Sequence, residues 1–95
     1  MSAYMIADIH VTDPQHYEEY KRLAAPSVAA YGGRYIVRGG PAERLEGVRE
    51  LHRIVVLEFP DLERARAWWS SPEYAPAKAI RHESATAEML FVEGI

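Results

Sequence analysis

The chain has no cysteine, which excludes disulfides, thiolate nucleophiles and thiolate-bound metals at once and leaves the redox compartment open. It has no excess of positive charge either. Its 11 basic and 14 acidic residues give a net charge of −3, so no field exists to hold a polyphosphate, and nucleic acid is not an expected partner. No apolar run approaches the about 20 residues of a membrane span, and Met1 to Asp8 carries neither a basic leader nor an apolar stretch of signal length. The expectation is a cytoplasmic protein with no membrane partner. Repeats, linkers and low-complexity tracts are missing too, so residues 1–95 read as a single domain.

The stretch Ala30-Tyr31-Gly32-Gly33-Arg34-Tyr35-Ile36-Val37-Arg38-Gly39-Gly40 organises what is present. Gly32 and Gly33 end a helix where the backbone must turn, and a short strand then runs through two arginines to a second glycine pair. Before it, Tyr4 to Val11 alternates as a half-buried strand, and Thr12-Asp13-Pro14 supplies a cap and a proline at the first helical position. The helix stripe is Tyr17, Tyr20, Ala24, Val28 and Tyr31, with Pro26 predicting a kink or break between Leu23 and Pro26. After it come a polar loop from Pro41 to Glu50, a strand from His52 to Phe59 and a helix capped by Asp61. A helix from about Ala75 to about Glu83 and a last strand from Ala87 to Glu93 complete the chain. The order βαββαβ predicts a ferredoxin-like, four-stranded antiparallel sheet, ordered 4-1-3-2, with its helices on one face.

Strand parity separates the two faces. Odd positions (Met5, Ala7, Ile9, Val11, Tyr35, Val37, Val55, Leu57, Phe59) are nearly all apolar and should take the helices, Arg53 being the exception. Even positions place Ile6, Ile36, Ile54 and Val56, joined by Leu90 and Val92, among Asp8, His10, Arg34, Arg38, His52 and Glu58. Leaving five to seven aliphatic side chains on an open sheet forfeits roughly 10 kcal/mol at about 1.5–3 kcal/mol each. The expected remedy is a homodimer joined through its sheet faces.

The combination Val11-Thr-Asp-Pro14, Tyr17 and Tyr20, Ala30-Tyr-Gly-Gly33, Arg38-Gly-Gly40, Glu58-Phe-Pro60 and Ser71-Pro-Glu-Tyr74 resembles the DUF1330 family over essentially the whole chain. Pro76 departs from the usual helix-forming run after the last motif. The resemblance implies a dimeric α+β barrel and a side-by-side dimer. Architectural relatives include cofactor-independent monooxygenases acting on aromatic polyketides, muconolactone isomerases, haem-binding enzymes and ligand-sensing domains, so the fold alone does not choose a chemistry.

Candidate residues follow from type and position. Arg38, Glu58 and Asp8 are the catalytic candidates, because a parallel pairing of the first and third strands would bring Asp8 near Glu58 and raise one carboxyl's pKa unless arginines hold both ionised. An ion-pair network fixing dimer register is the plainer use of the same charges. Tyr20, Tyr35, Arg38, Trp68 and Tyr74 are the ligand-binding candidates, and the aromatic set they share with Tyr17 and Trp69 could wall a pocket for a small organic ligand, or else is core with its hydroxyls at the edge. Trp68 and Trp69 are adjacent, so only one can face the core fully. His10 and His52 sit on matching parity, yet the four histidines show no metal-ligand spacing, and neither a metal nor a cofactor is expected. Two functions remain open: a cofactor-independent small-molecule enzyme, monooxygenase- or isomerase-like, or a noncatalytic small-ligand-binding or structural dimer. The residues leave open whether the protein is an enzyme.

Overall fold

In the computed structural model, which describes residues 1–95, the chain runs β1 (Ala3–Val11), α1 (Pro14–Ala30), β2 (Arg34–Arg38), β3 (Arg53–Phe59), α2 (Leu62–Trp69), α3 (Ala75–Ser84) and β4 (Ala85–Glu93). The strands form one antiparallel sheet in the order β2-β3-β1-β4. β1 and β3 are therefore antiparallel, as the expected antiparallel sheet requires and contrary to the parallel pairing assumed for Asp8 and Glu58. The helical crossover returns the chain so that β2 runs with β1, and the β2–β3 hairpin then reverses direction. The expected barrel is likewise overturned. The sheet ends in two free edges, β2 and β4, with no ladder between them, so it is open.

Local signals account for the helix boundaries. The Asp13 carboxylate accepts from the His16 N–H at 3.2 Å with Pro14 just inside, and Asp61 accepts from the Arg64 N–H at 2.7 Å. At the end of α1, Gly32 (φ +76°) donates to the Ala29 carbonyl and Gly33 to that of Val28, satisfying orphan carbonyls. Gly33 is also a packing requirement, since a Cβ there would fall 2.7 Å from the Phe59 ring. α1 is unbroken from Pro14 to Ala30, contrary to the expected break. Pro26 is exposed, as is Arg22, so the Arg22 carbonyl that loses its partner meets water, while Tyr17, Tyr20, Ala24, Ser27 and Val28 hold the other face.

The core lies between helices and sheet. Met5, Ala7, Ile9, Val55, Leu57 and Phe59 point into it, beneath Trp68, Tyr74, Val28 and Ala77. The opposite sheet face has no cover: Ile6, Ile36, Leu90 and Val92 remain 36–54% exposed. No helix is long and apolar enough to cross a membrane.

One irregularity reorganises the site. The ladder pairs Arg34 with Glu58 and Tyr35 with Leu57, but then pairs Val37 with Val56 and Arg38 with Val55. Ile36 is the extra residue of a β-bulge, which exchanges the faces beyond it. Arg38 consequently shares the helix-side face with Val55, and Val37 turns outward, the reverse of their expected positions.

Candidate functional site

The bulge brings Arg38 over Tyr35, its guanidinium carbon 4.2 Å from the ring centroid. Arg53, the lone charged residue on the inward parity of β3, stands 5.9 Å above the Tyr17 ring. Gly39, at φ +70°, makes room for it, since a Cβ there would lie 2.2 Å from Arg53 Nη1. Neither arginine has a carboxylate within 4.0 Å, and Arg53 Nε is buried without any partner.

These side chains close a cavity of about 20 Å³ among Tyr17, Tyr20, Tyr35, Leu57 and Trp68, room for about one water. Lys21, Arg38 and Arg53 border both this cavity and an outer groove of about 720 Å³ against Pro26 on α1. The only acidic residue on the groove is Glu18, whose carboxylate meets Lys21 at 2.9 Å. A protein of negative net charge thus presents a cationic mouth to a tyrosine-lined interior. Burial pushes the Tyr17 and Tyr35 hydroxyls above their ordinary pKa, with Arg53 and Arg38 respectively pulling the other way. Tyr20 is raised far more, by burial first and then by Tyr74. All three are therefore hydrogen-bond donors and not bases at neutral pH.

The expected ligand residues divide into two groups. Tyr35 and Arg38 stand at the mouth, and Tyr20 and Trp68 line the cavity. Tyr74 is wholly buried behind them. Its hydroxyl meets that of Tyr20 at 3.1 Å, and its N–H donates to Ser71 Oγ at 3.0 Å. The Trp68 indole N–H donates to Ser27 Oγ at 3.1 Å, so its polar edge is satisfied within the core. Trp69 is half-buried, as the adjacency argument requires.

The catalytic candidates are separated. Asp8 and Glu58 lie on the opposite sheet face from the cavity and apart from each other, because Asp8 pairs with Ile54 and Glu58 with Tyr4. Four residues of strand separate them, about 13 Å. Glu58 accepts from Arg34 Nε at 2.7 Å and from the Tyr4 hydroxyl at 3.2 Å, and the Arg34 bond is the main reason its carboxyl is held below the usual range. Asp8 accepts the His52 N–H at 2.9 Å, with Arg49 at 3.8 Å. His10 and His52 stack beside it, ring centroids 4.1 Å apart. No three His, Cys, Asp or Glu side chains gather to suit a metal.

Tyr17, a member of the expected aromatic set, lines the cavity, whereas Lys21 and Arg53 border the cavity and mouth without being among the expected site residues. The signal for Arg53 was its charge on an otherwise apolar parity.

Comparison with solved structures places the fold among small ferredoxin-like proteins. RPA0582, a protein of unknown function from Rhodopseudomonas palustris, matches with a TM-score of 0.80 at 16% identity over 99% of this chain and 82% of its own. A dimeric ferredoxin-like protein of unknown function from Jannaschia sp. CCS1 gives 0.73 at 15% identity, covering 99% of this chain and 100% of its own. SnoaB, a cofactor-independent oxygenase from Streptomyces nogalater, gives 0.68 at 15% identity, covering 99% and 93%. At these identities the likeness shows a shared fold. A comparison with curated proteins finds no match. The family model described as "Domain of unknown function (DUF1330)" matches residues 2–95, and the chain belongs to that family.

Proposed function

We propose that the protein binds a small planar organic anion at the Arg38–Arg53 mouth, with the ring of the ligand in the outer groove and its negative oxygen between the two guanidinium groups. The observation that carries this reading is that both arginines lack a carboxylate partner while bordering a tyrosine-lined cavity. Arg53 is half-buried, and a cation in that position without a counter-charge is costly unless something else supplies one; Arg38 is exposed and stands at the entrance to receive it. The cavity itself admits only about one water, so deeper entry of a ring requires Tyr35, on the short edge strand β2, to move aside.

A homodimer through the uncovered sheet face belongs to the same reading. The exposed Ile6, Ile36, Leu90 and Val92 support it, as does the dimeric ferredoxin-like relative. Asp8 and Glu58 then act as charged positions at the margins of that interface.

Catalysis is the second reading, favoured by the likeness to a cofactor-independent oxygenase. The lining supports stabilisation of an anionic substrate over proton abstraction. No carboxylate or histidine borders the cavity, and its tyrosines stay protonated. Isomerisation, which needs a base, draws less support.

Salicylate, titrated by calorimetry, is a suitable probe. The expected result is saturable binding that Arg38→Met and Arg53→Met each weaken at least tenfold, about 1.4 kcal/mol. Binding unchanged in the double variant refutes the site. An oxygen electrode with a panel of electron-rich phenols tests the second reading, which ends if no phenol drives oxygen uptake that depends on Arg38.

A further inference from the structure

We propose that Arg81 anchors a second ligand site, a groove between α3 and β4 that takes the carboxylate of a small apolar acid. Arg81 is 5% exposed, yet no carboxylate lies within 4.0 Å of it. Its one hydrogen-bond partner is the neighbouring His82, Nη2 to Nε2 at 3.3 Å, and its Nε is buried with none. Arg53 and Arg81 hold the only two buried side-chain polar atoms in the chain that lack a partner. A guanidinium kept this far from water without a carboxylate loses hydration and gains little in return. The planar fork of a guanidinium matches the two oxygens of a carboxylate, so a bound carboxylate would supply the missing counter-charge.

The groove that Arg81 borders holds about 570 Å³ and is otherwise lined by Trp69, His82, Ala85, Thr86, Ala87 and Met89. Its walls select the ligand class. Trp69 and Met89 offer apolar surface, the Thr86 hydroxyl is a neutral hydrogen-bonding group, and no acidic side chain borders the space. Lys78 is not part of the lining, its ammonium lying 4.0 Å from the Trp69 ring centroid. One buried guanidinium against an indole and a thioether suits a monocarboxylate with a small apolar body. The groove shares only Met89 with the tyrosine cavity, so the inference stands apart from the Arg38–Arg53 reading.

The test is benzoate titrated into isotope-labelled protein, followed by NMR, with benzyl alcohol as the uncharged control. The expected result is a saturable shift of the Trp69 indole N–H and the Thr86 amide. Benzyl alcohol should produce it at least tenfold more weakly, and the Arg38→Met/Arg53→Met double variant should leave it intact. Arg81→Met should weaken it at least tenfold. If that variant unfolds, Arg81→Lys replaces it, keeping charge but losing the planar fork, and should also weaken binding. An absent or non-saturating response in the wild-type chain overturns the site. Equal response to benzyl alcohol, or undiminished binding in a folded Arg81 variant, does the same.

Discussion

The two faces of one sheet are built from the same four strands and behave as different materials. On the helix side, Met5, Ile9, Leu57 and Phe59 are at most 2% exposed, and every fully buried side-chain polar atom has a partner except on Arg53 and Arg81. On the open side, aliphatic side chains stand 36–54% exposed beside charges that are already matched, Arg34 with Glu58 and Arg49 with Glu88. The unmet demand is therefore of opposite kinds. The inner face lacks counter-charge, which a small ligand can bring, and the outer face lacks apolar cover, which a second subunit can bring.

The largest expected effect tests the inner face. Trp68 is 1% exposed, packs on Phe59 and Tyr74, and donates to Ser27. Trp68→Ala should cost about 3–5 kcal/mol, read from denaturant unfolding. A loss below about 1 kcal/mol would mean that the two faces do not differ as described. Next comes the outer face. Leu90 is 54% exposed, so Leu90→Lys should leave the unfolding of the subunit nearly unchanged while raising the dimer dissociation constant at least tenfold by analytical ultracentrifugation. A wild-type chain that sediments as a monomer at micromolar concentration removes the outer-face demand altogether. Smaller still is Tyr20→Phe. It deletes the hydroxyl that meets Tyr74 at 3.1 Å inside the core and should cost about 1 kcal/mol by thermal unfolding. Salicylate affinity should fall little, because Tyr20 lies behind the arginines.

Parity made much of this comparison legible. The alternation in β1 and β3 is regular, so each inward residue there is where period two puts it, and Arg53 announced itself as the one misfit. The reading of β2 failed beyond Tyr35 because a bulge inserts one residue and nothing in Tyr35-Ile36-Val37 advertises it. That single insertion moved Arg38 from the open face to the cavity and separated it from Glu58. The Asp8–Glu58 neighbourhood failed for a different reason, the relative direction of β1 and β3, which the connections determine and composition does not. Pro26 misled because a proline's cost depends on whether the carbonyl it abandons meets water, a fact of burial that is invisible locally. The paired polar edges of Trp68 and Tyr74 are tertiary contacts, to Ser27 across 41 residues and to Tyr20 across 54.

The smallest expected effect is the pH dependence of the outer face, and its sign is fixed by Glu58. Arg34 donates to that carboxylate at 2.7 Å, first among the causes that hold its pKa below the ordinary 4.5. The folded state therefore favours the ionised form. The contribution is complete above about pH 4.5–5 and declines as pH falls through the lowered value, since the unfolded chain takes up the proton first. Glu58→Gln removes the titrating group, so the stability difference between wild type and variant should be constant near neutrality and shrink on acidification. The Arg34 side chain is 72% exposed, so 0.5 M salt should also reduce the difference. A difference that instead grew below pH 4.5 would place a protonated Glu58 in the folded state. The matched-charge description of the outer face would then be wrong at its best-defined pair.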